Sequence, residues 1–111
     1  MDLRYRYARE KLFGAIYVLA ILPGDVRSRL LSAYAGFHPL KEDDFPDKLK
    51  KDWRWIEKSL TKRGPVYDHK GDVAVGSIEN TLKRMQNRTG KKIAERLFHL
   101  FSELYFNGEY L

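Results

Sequence analysis

The chain contains no cysteine, which removes disulfides, thiolate nucleophiles and thiolate metal ligands together. That absence fits a reducing compartment such as the cytoplasm. Proline is scarce, and its four copies fall at the edges of periodic segments, where they punctuate the chain. Long hydrophobic runs are missing as well. The longest, LFGAIYVLAIL at residues 12–22, is far short of the roughly 20 residues that cross a bilayer as a helix. Arg4, Arg6, Arg9 and Lys11 precede it, in the manner of a signal peptide. The nearest Ala-x-Ala, however, lies beyond Asp25, Arg27 and Arg29, so a buried first helix is the better reading. No internal repeat, low-complexity segment or sustained heptad is present.

The chemistry-bearing patterns are equally sparse. His38, His69 and His99 show no His-x-x-x-His spacing. Asp68, His69 and Asp72 cluster in a glycine-bearing stretch, but without the alternating oxygen donors of a calcium loop. There is no Gly-x-Ser-x-Gly elbow, and Thr89-Gly90-Lys91-Lys92 lacks the glycine that opens a phosphate loop. Asp43, Asp44 and Asp47 suit the positive end of a helix. No catalytic, cofactor-binding or metal-binding residue is assigned, and the expectation is a protein that is not an enzyme.

What is there reads as helix. With 111 residues, 43% of them hydrophobic and 14% aromatic, the chain can build one core. Apolar residues recur at three- and four-residue spacing in five segments, about 3–22, 26–36, 46–62, 78–88 and 91–106. The expected fold is an all-α, single-domain bundle of about five helices, with the first helix central and apolar all round beyond Leu12. Asp25 and Ser77 read as helix caps, and Asn87-Arg88-Thr89-Gly90 as the turn between the last two helices. Residues 64–76 read as an irregular surface loop. Val73-Ala74-Val75 has extended character there, but no evident partner strand.

The charge of +6 is concentrated. Lys83, Arg84, Arg88, Lys91, Lys92 and Arg96 lie within fourteen residues, against the single acid Glu95. Two helices around a short turn, the second basic near its start, loosely match a helix-turn-helix over residues 77–105. Phosphate contacts need only such a face. Base reading is poorly served, because the outward side of the last helix offers Glu95 and Glu103 rather than Asn or Gln. A solvated helix surface with Glu79/Lys83 and Lys91/Glu95 pairs accounts for the same residues. Trp53 lies on the core stripe of the third helix. Trp55 lies off it, beside Arg54 and Lys58, as either a cover for a neighbouring helix or an exposed partner anchor.

Leu40, Asp44-Phe45-Pro46 and Leu49, then Gly76-Ser77-Ile78, Thr81-Leu82 and Met85, then Ile93-Ala94-Glu95-Arg96-Leu97, together resemble a group of small uncharacterised bacterial proteins. The resemblance spans about three quarters of the chain. It implies a cytoplasmic bacterial helical protein and transfers no catalytic or binding residue. A small protein–protein interaction or regulatory module is therefore the leading expectation, with a nucleic-acid-associated protein as the alternative. The phasing of the third helix is directly testable. Trp53→Ala is expected to cost about 3–5 kcal/mol in a denaturant titration and Trp55→Ala markedly less. Equal losses would show that the stripe is misassigned.

Overall fold

One helix begins on a side chain that substitutes for a missing backbone partner. At α2 (Val26–Phe37) the Asp25 carboxylate accepts from the Ser28 amide at 3.0 Å. A hydrogen bond from the Arg27 side chain is the largest of the contacts that hold the Asp25 carboxyl below its ordinary value. Gly24 precedes it with φ +101°, a conformation that favours glycine and lets the chain reverse out of α1 (Arg6–Ile21) within a few residues. The third helix, α3 (Asp47–Leu60), starts after Pro46, which sits at the cap position just outside the first turn. Leu49, Trp53, Ile56 and Leu60 are buried, as the stripe required, and Phe45 stacks on Trp53 with ring centroids 4.9 Å apart.

The computed structural model describes residues 3–110. It is an all-α bundle of five helices with one small hairpin. Helix α1 packs on α2 and on α5 (Asn87–Phe106), while α3 packs on α5 and on the short α4 (Ser77–Lys83). The stripe Ile93, Leu97, Leu100 and Leu104 of α5 is completely buried. At the far end, a 3-10 turn at Gly108–Tyr110 folds back on α1, where Arg9 donates to the Tyr110 carbonyl at 2.9 Å.

Four sequence expectations are corrected. The segment 64–76 holds an antiparallel hairpin in which β2 (Val73–Val75) pairs with β1 (Val66–Tyr67), so the missing partner strand lies within the same segment. Its turn is closed by Asp68, whose carboxylate accepts from the amides of Lys70 and Asp72 at 2.8 and 3.0 Å. Ser77 is the first helical residue of α4, not its cap. Gly76 holds the cap conformation, and the Ser77 hydroxyl donates to the Arg63 carbonyl at 2.7 Å. Thr81 accepts from the Arg63 amide and donates to the Arg63 carbonyl, both at 3.0 Å, so α4 is stitched to the chain leaving α3.

The third correction concerns Asn87-Arg88-Thr89-Gly90, which is the first turn of α5 rather than a connection. The reversal instead falls at Arg84–Gln86, where Arg84 and Met85 amides close tight turns onto Thr81 and Leu82. Within Asn87-Arg88-Thr89-Gly90 only Gly90 is buried, packed so closely that a Cβ there would meet Val26 Cγ1 at 2.9 Å, and that contact offsets its weak helix propensity. Lastly, α1 is not central. The molecule measures 52 × 28 × 18 Å, and 18 Å holds only two layers of helices. One face of α1 therefore meets solvent.

Two glycines separate the competing effects. Gly14 lies inside α1 with no atom near its missing Cβ, so Gly14→Ala should stabilise by about 0.5–1 kcal/mol. Gly90→Ala should instead destabilise by about 1–3 kcal/mol, because Val26 must move. Chemical denaturation of both variants checks the sign of each change.

Candidate protein-docking face

The six basic residues singled out by the sequence do not share one surface. Lys83 borders a cleft with Asp25 and Arg27, and Arg84 lines a groove with Lys62 and Arg63. Arg88 and Lys91 line a different groove with Arg29. Lys92 is exposed. Arg96 turns toward α3, where it donates to the Asp52 carboxylate at 2.8 Å and lays its guanidinium over the Trp55 ring at 4.5 Å. His99 Nε2 approaches the same carboxylate at 3.6 Å. Trp55 is thus half-buried under Arg96 and joins α3 to α5. Adjacent helical residues point about 100° apart, which is why a basic run in sequence spreads over several faces.

A different constellation emerges along α1 and α5. Phe13, Tyr17 and Ile21 recur every fourth residue on the outward side of α1 and are 54%, 57% and 55% exposed. On α5, Phe98 is 53% and Phe106 75% exposed. The two helices are joined here by rings, with Phe13 lying 6.3 Å from Phe101 and 6.4 Å from Tyr105. Phe101 in turn contacts Phe98 and Phe106 at 6.0 and 6.3 Å. A second apolar stripe of α5, Ala94, Phe98, Phe101 and Tyr105, therefore supplies an open aromatic surface in addition to packing.

Phe98 continues this surface into a groove of about 670 Å³ between α2 and α5. Val26, Ala94 and Phe98 line it, and Arg29, Arg88 and Lys91 edge it, against the one acid Glu95. Lys91 and Glu95 approach at 3.9 Å. Arg29 is held in place by donating to the carbonyls of Leu19 and Gly24 at 2.6 and 3.0 Å, which satisfies the end of α1. An apolar floor with a cationic rim can bury a partner's apolar side chains and pair with its carboxylates. The sequence signal for this face was the excess of apolar positions, on α1 all round and on α5 as a second stripe.

Among the described residues, no group of three or more His, Cys, Asp or Glu side chains is placed to hold a metal ion. Of the sequence cluster, Asp68 is engaged by its own turn. Among the described residues, no helix is long and apolar enough to cross a membrane. No family model matches the chain, and neither a curated protein nor a solved structure is found similar to it.

A smaller cavity of about 240 Å³ opens between α2, α3 and α4, lined by Tyr34, Phe37, Trp53 and Glu57 among others. Burial raises the Glu57 carboxyl above its ordinary value, and the charge of Glu42 adds to the effect. A raised carboxyl binds its proton more tightly in the folded chain, so this group's contribution to stability is lost as pH rises through its folded value. Glu57→Gln should accordingly raise the thermal midpoint at about pH 7. The gain should vanish below 4.5, the ordinary value for this carboxyl. Equal midpoint shifts at both ends of that range would separate the effect from Glu57 ionisation.

Proposed function

We propose that this protein is a small, non-enzymatic interaction or regulatory module that docks a partner protein on the aromatic face of α1 and α5. The observation that carries this reading is the exposure of Phe13, Tyr17, Ile21 and Phe98, linked through the ring contacts of Phe101, along the side of the bundle formed by α1 and α5. Keeping large rings in water is unfavourable, and contiguous apolar patches on folded domains mark interaction surfaces. The rim of Arg29, Arg88 and Lys91 favours a partner whose apolar side chains are flanked by acids. A cationic rim also disfavours a second copy of this chain at the same place. Residence in the bacterial cytoplasm belongs to the same proposal, supported by the lack of cysteine and the family-like motifs at residues 40–49 and 76–97.

A pull-down from lysate tests the reading, with and without nuclease. Wild type is expected to retain protein partners after nuclease treatment, and a Phe13→Ser/Phe98→Ser variant to release them. Loss of aromatic anchors at an interface typically costs about 2 kcal/mol or more each, enough to empty the column. Partners that disappear with nuclease, or that bind the double variant equally, would refute docking on this face.

A further inference from the structure

Where the end of α3 meets α4 and the start of α5, a second groove of about 650 Å³ has a different character. Lys62, Arg63 and Arg84 line it together with Ser59, Gln86 and Thr89, and no carboxylate is among its lining residues. Several cations elsewhere in the chain are matched with acids. Lys50 pairs with Asp47, Arg54 with Glu42, Arg96 with Asp52 and Arg6 with Glu10. Here the neighbour of Arg84 is the neutral Asn80, which accepts from its Nε at 3.1 Å. A guanidinium has five N–H donors, so that contact orients the group and leaves donors for a ligand.

We infer that this groove binds a phosphate-bearing polyanion. Three formal positive charges converge on one concavity, and the Ser59 and Thr89 hydroxyls and the Gln86 amide supply further donors, the Thr81 hydroxyl being given to the Arg63 carbonyl. The groove is also built in advance. The Arg63 backbone is fixed through Ser77 and Thr81, and the Gly64 carbonyl accepts from the Asn80 side chain at 2.9 Å. The backbone of the groove therefore needs little further ordering on binding. The helix ends do not decide the sign, because the start of α5 and the end of α3 carry opposite half-charges. The full charges of Lys62, Arg63 and Arg84 do. Apart from Met85 the lining offers nothing on which a nucleobase would stack, so recognition is of phosphate and not of base. Such phosphate comes either from a free polyphosphate or from the backbone of a single strand.

Two probes distinguish those sources: tripolyphosphate by calorimetry, and a labelled oligothymidylate of about twenty nucleotides by fluorescence anisotropy. Binding of either at physiological ionic strength is expected. Strand binding through three cations should fall with salt at a slope of about −2 on logarithmic axes. Lys62→Gln/Arg84→Gln should weaken binding about tenfold or more. Lys51→Gln/Lys92→Gln removes the same charge from exposed positions outside the groove and should change affinity by less than about threefold. Arg63→Gln alone should show a smaller loss in the same direction, and it decides the matter if the first double variant does not fold. Tripolyphosphate binding alone identifies a free polyanion, and strand binding alone a nucleic-acid backbone. Failure of both probes, or equal losses in the two double variants, overturns the inference without touching the aromatic face.

Discussion

Burial of Ile93, Leu97, Leu100 and Leu104 along one side of α5 is the interaction on which the rest of the structure depends. This stripe packs against α1 and α2 on one hand and α3 on the other, so the two halves of the chain share it. Four fully buried aliphatic side chains contribute several kcal/mol of transfer free energy. That burial also draws the first turn of α5 against α2, at a point where only hydrogen fits beneath Val26. Asn87, Thr89 and Gly90 are weak helix formers, yet they lie in the first turn of the helix, where the packing of Gly90 and of the buried stripe that follows offsets the cost in propensity.

A bundle arranged around one long helix in two layers leaves faces open by geometry. In a slab 18 Å thick, each helix can cover one side only. Polar residues clothe most outer sides, as on α3, where Lys48, Lys51 and Lys58 are exposed. The outer side of α1 breaks that pattern with Phe13, Tyr17 and Ile21, and α5 extends it through Phe98 and Phe106. The fold can therefore keep its own core intact and still present apolar surface to a partner.

Charge is sorted by the same architecture. Where α3 faces α5, Arg96 is neutralised by Asp52 and stacked on Trp55, which makes it part of the internal framework. Where the chain turns between α4 and α5, Lys62, Arg63 and Arg84 gather without acids, and along α2 and α5 Arg29, Arg88 and Lys91 outnumber Glu95. Positive charge thus marks two grooves of different composition, one hydroxyl-lined and one apolar.

Local pattern alone determined that this chain is helical. The three- and four-residue spacing of Leu49, Trp53, Ile56 and Leu60, the Asp25 cap and the turn signals at Pro23-Gly24 each act within a few residues, and each stands as read. Tertiary structure decided everything that depended on which face meets which. An apolar-all-round helix looks alike in sequence whether it is enclosed or half exposed, so the open side of α1 was invisible before the two-layer arrangement was known. The hairpin at Val66 and Val75 needed a turn fixed by backbone bonds to Asp68, and the start of α5 needed the close approach of Gly90 to Val26. The grouping of Lys62 and Arg63 with Arg84 joins residues about twenty positions apart in the chain, brought together by α4 folding back on the end of α3. Sequence records charge and periodicity along one dimension. Functional surfaces form where distant faces converge, and only packing sets that convergence.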